Sequence, residues 1–284
     1  MSTFTTLAKR YPLATFVLLA YAFTWAIVAI STVPILSTLA NPLLLVSLFG
    51  PAVAGLVIVG LTEGKPAVRE LLGRLKSHGV AGRWHLTAAL LPIAVAAAGV
   101  GVNFLMGGGF LSELGHTPIL VLLLFPSVLI GQEIGWRGYA LPRLLRTHSA
   151  LTASLMLGCL YAIAQLPIFM FLPENVAYGR SFVAFLVWAL SLTLVLTWLY
   201  RNTKGSLTPV ATLHSGLALS VLALSVTVGV ERAWLLHGAA LGILGLGLLI
   251  ILGPGLVREG SEAVSPATPT EHPVTGTHVE RQGA

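Results

Sequence analysis

The chain has 284 residues, of which 56% are hydrophobic and only 9% charged, with 16 Lys and Arg against 10 Asp and Glu for a formal net charge of +6. A mean hydropathy of +0.89 excludes an ordinary soluble domain and predicts an all-α polytopic membrane protein, because apolar runs longer than the roughly 18 residues of a bilayer span recur along the chain. The basic residues sit between those runs, so no nucleic-acid partner is expected and membrane lipid is.

Turn chemistry at Asn41-Pro42, Gly107-Gly108-Gly109, Leu141-Pro142, Leu172-Pro173 and Lys204-Gly205 separates a predicted bundle of about eight transmembrane helices. They cover residues 11–36, 43–61, 84–106, 118–141, 150–172, 182–200, 206–228 and 233–252, within a membrane domain of residues 11–252. The first run exceeds the roughly 7–15 apolar residues of a secretory signal, which predicts a retained span after a cytoplasmic segment 1–10. With the amino terminus inside, Lys9, Arg10, Lys65, Arg69, Arg74, Lys76, Arg83, Arg143, Arg146, Arg201 and Lys204 fall on the cytoplasmic side, against Arg180 and Arg232 outside. That asymmetry fits the positive-inside rule with both termini cytoplasmic.

The cytoplasmic connector 62–83 carries Val68, Leu71, Leu72 and Leu75 at helical spacing among basic residues. It reads as an amphipathic helix at the headgroups, gating access or meeting anionic lipid, or else as a solvated loop. Cys159, the single cysteine, lies inside a span and reads as a packing residue, while Gly238, Gly242, Gly245 and Gly247 fit close helix packing. From residue 253 to 284 the composition turns to Pro, Thr, Ser and Glu, which predicts a disordered cytoplasmic tail.

Ionisable groups within a span are costly unless paired or hydrated, so they mark a partner or a cavity. Glu133 and Arg137, four apart on one helix, share a face and fit either a neutralising ion pair or the wall of a chamber in which Glu133 does proton chemistry. His214 stands at similar depth on the seventh predicted helix. Gln165 stands on the fifth, two residues before Pro167, where its amide would serve carbonyls freed by the proline. Zinc generally takes three protein ligands, and Glu133 and His214 supply two, so the residues alone predict no metal site.

Residues 132–144, QEIGWRGYALPRL, resemble the EExxWRGxxxPxL motif of the CPBP intramembrane proteases, the family of the Rce1-type CAAX endopeptidases and the bacterial Abi proteins. Trp136, Arg137, Gly138 and Pro142 fix the register. YAIAQLP places Tyr161 at the Phe and Gln165 at the His of a second motif, FxxxH, and HSGLA keeps His214 but puts Ala218 at the Asn of a third, HxxxN.

The likeness covers residues 118–220. It implies a hydrolytic site built from Gln132, Glu133, Arg137, Gln165 and His214, a substrate chamber with Trp136, Tyr161 and Ala218, and a bacterial cell membrane as its location. It also implies a membrane-associated peptide or protein as partner, with zinc as cofactor if the family acts as metalloproteases. Water activation would fall to position 132, where an amide is no base, and consecutive helical residues diverge by about 100°, so Glu133 is not expected to take over. The expectation is therefore a CAAX-protease-like membrane protein with weak or absent proteolysis, a pseudoenzyme, against the alternative of an active intramembrane endopeptidase. A transporter would carry repeat symmetry and paired discontinuous helices, for which the sequence gives no sign.

Overall fold

Prolines and glycines decide where the helices break. The computed structural model describes residues 3–35, 40–108, 126–172, 175 and 177–257, and every regular element among them is helical. In chain order these are α1 (Thr3–Arg10), α2 (Pro12–Ser31), α3 (Ala40–Ser47), α4 (Gly50–Thr62), α5 (Lys65–Gly73), α6 (Gly82–Leu105), α7 (Ser127–Ala140), α8 (Leu141–Leu144), α9 (Ala150–Phe171), α10 (Phe182–Asn202), α11 (Leu207–Val228) and α12 (Val230–Leu252). Seven stretches are long and apolar enough to cross a bilayer: α2, α3 with α4 as Pro42–Thr62, α6, α9, α10, α11 as far as Ser225, and α12. The chain is an integral membrane protein. Residues 118–125 of the predicted fourth span lie outside the described residues; its remainder is α7 with the start of α8.

The predicted span 43–61 is interrupted at Leu48 and Phe49, between α3 and α4. Pro51 has no N–H to give to the preceding turn, so carbonyls at the break lose their helical donor. Two side chains from other helices replace it: the Thr24 hydroxyl donates to Ser47 O at 3.1 Å, and Gln132 Nε2 donates to Leu48 O.

Helix α7 is π-helical, with the Leu141 N–H reaching back five residues to Trp136 O. It is buried from residue 131 to 140. Gly131 and Gly135 let it lie backbone to backbone on the α3–α4 break: a Cβ at Gly131 would stand 2.7 Å from Leu48 O, and one at Gly135 would run into the Pro51 carbonyl. On its other sides α7 packs against α11, and Phe16 of α2 meets Trp136 edge-on at 5.4 Å and Tyr139 at 5.0 Å. A second group of rings, Phe169, Phe185, Trp188 and Trp234, ties α9, α10 and α12 together.

Two expectations change. The connector 62–83 holds α5, whose Val68, Leu71 and neighbouring Leu75 pack against the core, so most of its apolar face meets protein and only Leu72 is left exposed. The tail does not leave the bundle at Gly253: Arg201 Nη1 donates to Gly255 O at 2.5 Å, Asn202 Nδ2 to Leu256 O at 3.0 Å, and the Leu256 side chain is fully buried. Backbone acceptors met by Arg201 and Asn202 of α10, together with the buried Leu256, hold this segment against the bundle. Residues 258–284 lie outside the described residues.

The α4–α7 crossing is the tightest contact behind the site, so Gly135→Ala is expected to lower stability by about 1–3 kcal/mol, the usual cost of forcing a methyl into a packed contact. Gly247→Ala, where an added Cβ meets nothing within 4 Å, should leave it unchanged or slightly raised. Thermal unfolding of both variants in detergent checks the contrast.

Candidate functional site

The sequence places Gln132 and Glu133 side by side, and α7 sends them in different directions. Gln132 turns toward the α3–α4 break. Its Nε2 donates to Leu48 O while its Oε1 accepts from Trp136 Nε1 at 3.0 Å, so both ends of the amide are used in holding helices together. Glu133 turns to the interior, where its Oε1 accepts from Arg137 Nη1 at 3.0 Å and lies 2.5 Å from His214 Nδ1 on α11.

Glu133 and Arg137 have no solvent exposure and His214 almost none. Thr193 on α10 completes the cluster, accepting from Arg137 Nη2 at 3.5 Å while giving its own hydroxyl proton to Ala189 O at 2.8 Å. A buried carboxylate beside one guanidinium is close to neutral, which is what allows it to stay inside. With Nδ1 directed at the carboxylate, the neutral imidazole keeps Nε2 as its acceptor nitrogen.

The cluster is not fully satisfied. Glu133 Oε2, Arg137 Nε and Gln165 Oε1 find no partner among the described residues, nor does Ser215 Oγ next to His214. Buried polar atoms of this kind are ordinarily met by water or by a bound polar group.

Tyr161 links this cluster to open space. Its ring stands edge-on to His214 at 5.9 Å and to Trp136 at 6.4 Å. It also lines a cavity of about 240 Å³ together with Gln165, Ala218, Phe185, Trp188 and Trp234. Gln165 and Ala218, two of the three positions where the sequence departs from the resembled motifs, line that cavity, whereas Gln132, Glu133, Arg137 and His214 do not. The carbonyl of Ala164, beside Gln165, accepts from Trp25 Nε1 of α2 at 3.1 Å.

The residues present do not fit a divalent metal. Among the described residues no three His, Cys, Asp or Glu side chains gather as a ligand set. Glu133 Oε2 and His214 Nε2 keep lone pairs, but two ligand atoms fall short of the three protein ligands a zinc site generally takes.

Two features escaped the sequence reading. Thr193 looks like any span threonine; only its contact distinguishes it. His237 on α12 carries the same signal as His214, an imidazole in an apolar helix, and it is fully buried. Trp188 Nε1, a donor only, points at its Nδ1 at 3.0 Å, so the proton sits on Nε2 and is given to Ser220 Oγ at 2.6 Å, whose hydroxyl passes on to Leu217 O at 3.0 Å. With its proton on Nε2, His237 offers the Ser220 hydroxyl no acceptor, so the serine is not activated, and the trio joins α10, α11 and α12 beside the cavity.

Residues 114–220 match the family model described as Type II CAAX prenyl endopeptidase Rce1-like. A curated protein, CAAX prenyl protease 2 of Methanococcus maripaludis, is 25% identical over 133 residues, covering 44% of this chain and 47% of the relative. The aligned region thus spans about half the length of that relative. Both comparisons agree with the resemblance carried by the QEIGWRGYALPRL stretch.

Removing the charge of Glu133 leaves a fully buried guanidinium without a counter-ion. Glu133→Gln is expected to cost about 3–5 kcal/mol of stability, the range for breaking one side of a buried pair. Unfolding of the purified variant measures it, and a variant that expresses and melts like the unmodified protein would refute the ion-pair reading.

Proposed function

We infer, from the Rce1-like character of residues 114–220, that this chain is a CAAX-type intramembrane protease-like protein that holds the end of a membrane-associated peptide and cleaves it weakly or not at all. The observation that carries this is the double engagement of Gln132 by Leu48 O and Trp136. The position to which the resemblance assigns water activation holds a group that is neither basic nor free. The cavity supports the binding half of the reading: it is apolar, ringed by Phe185, Trp188 and Trp234, and bears the Gln165 amide as a polar point, which suits an apolar chain with a peptide attached. The relative's printed name, a CAAX prenyl protease, supports a prenylated peptide as the first substrate class to try.

A second reading rests on one geometric fact, that Glu133 engages His214 through Nδ1 and leaves Nε2 as the acceptor. A carboxylate that fixes an imidazole in this way orients it as a general base. In an active endopeptidase His214 Nε2 would take a proton from water as the oxygen attacks the peptide carbonyl, and return it to the leaving amine.

Reconstitution of the full chain with labelled prenylated and unprenylated membrane peptides separates the two. The protein is expected to bind peptide and release product slowly or undetectably, and Gln132→Glu with Gln165→His, once shown to be folded, is expected to raise the rate by roughly 10²–10⁴, the span attributed to general-base catalysis. Turnover by the unmodified protein that disappears in His214→Ala would instead establish the second reading.

A further inference from the structure

Away from the catalytic cluster, the loop before α6 and the turn between α10 and α11 enclose a hollow of about 260 Å³. Arg74, Lys76, His78, Arg83 and Lys204 line it, and no carboxylate does. Arg74 is paired with Glu70 at 3.1 Å, whereas Lys76, Arg83 and Lys204 have no ion pair among the described residues. Like charges converging from separate segments repel one another, and a hollow that assembles them without an internal acid favours an anion.

The hollow is built rather than incidental. Leu207 N donates to Arg74 O at 2.7 Å, Thr208 Oγ1 donates to Leu75 O and Ser206 Oγ to Lys76 O at 3.4 Å, pinning the two segments together. Lys204 itself is held at a φ of 53°, a left-handed conformation that a side chain adopts only when its surroundings demand it. The first turns of α6 and α11 adjoin the hollow, and neither cap residue, Ala81 or Ser206, closes its helix with a side chain.

Trp84 forms part of the wall, with the Arg83 guanidinium 5.3 Å over its ring and Trp198 edge-on at 5.5 Å. An indole at the end of a span is the ordinary marker of headgroup level.

We propose that this hollow binds a phosphate-bearing anion, supplied by the headgroup of an anionic phospholipid. Lys76, Arg83 and Lys204 bear the charge, with Arg74 a shared donor. Arg74 Nη1 also donates to Gly138 O at 3.3 Å, next to Arg137 in sequence, so an anion seated here touches the backbone that carries the Glu133–Arg137 pair. The proposal is independent of whether the chain cleaves peptides. Charge elsewhere on the chain serves as a control: Lys9, Arg10 and Arg146 are exposed and do not line this hollow.

The full chain is reconstituted in phosphatidylcholine vesicles containing phosphatidylglycerol, with bromine on one lipid or the other. The Trp84 signal is taken as the difference between the unmodified protein and Trp84→Phe. Brominated phosphatidylglycerol is expected to quench that signal roughly fivefold more effectively than brominated phosphatidylcholine, the ratio given by about 1 kcal/mol of headgroup preference. The preference should vanish in Lys76→Gln/Arg83→Gln/Lys204→Gln and survive in Lys9→Gln/Arg10→Gln/Arg146→Gln, which removes equal charge elsewhere. A second arm adds inorganic phosphate to phosphatidylcholine vesicles. Stabilisation by phosphate that the first triple variant loses, without lipid preference, upholds the site and assigns it a soluble anion. Equal quenching by both lipids with no phosphate effect overturns the proposal, as does loss of preference in both triple variants.

Discussion

One carboxylate oxygen, Glu133 Oε1, accepts from Arg137 on its own helix and from His214 on α11, while Arg137 passes on to Thr193 on α10. Three helices thus meet at a single buried negative charge. In a membrane interior neither the carboxylate nor the guanidinium is tolerable alone, so each fixes the other, and the rotation of α7 follows from where that charge must point. With α7 in that rotation Gln132 reaches the α3–α4 break, Gly131 and Gly135 lie against the α3–α4 backbone, and Trp136 closes on Phe16.

The same constraint separates the polar cluster from the aromatic cavity. The polar cluster and the aromatic cavity share Tyr161 as their common wall. Residue identity at 132, 165 and 218 decides what each compartment offers: an amide tied into structure, an amide facing the cavity, and a methyl where a polar group would stand in the resembled motif. Gln132, at the position to which the resemblance assigns water activation, is tied to Leu48 O and Trp136. Function here resides in the site rather than in the helical scaffold.

Much of this was legible in the sequence because the bilayer imposes a length on every helix and a cost on every intramembrane charge. The spans over residues 150–172, 182–200 and 206–228 correspond closely to α9, α10 and α11, since their apolar runs end at Ser, Asn and Gly signals that act locally. Glu133, Arg137 and His214 stood out because nothing else ionisable shares their depth on those helices. What the sequence concealed depends on long-range geometry. The break at Leu48 is marked by Gly50-Pro51, yet its repair by Gln132 and Thr24 needs two other helices in place. The docking of residues 253–257 depends on Arg201 and Asn202 finding backbone acceptors, and no composition window reports that. Nor does periodicity reveal the π-helical turn of α7, which arises where the chain must satisfy close glycine contacts and an inward charge together.

The most direct measurement of the shared carboxylate is a double-mutant cycle across α7 and α11, comparing unfolding free energies in detergent for the unmodified protein, Glu133→Gln, His214→Gln and the pair of changes together. Residues in one buried network couple by about 0.5–3 kcal/mol, and the account predicts a coupling in that range, with the double variant less destabilised than the sum of the singles. Strict additivity would contradict it, for it would mean that Glu133 and His214 do not act on one another across the helices they are held to join.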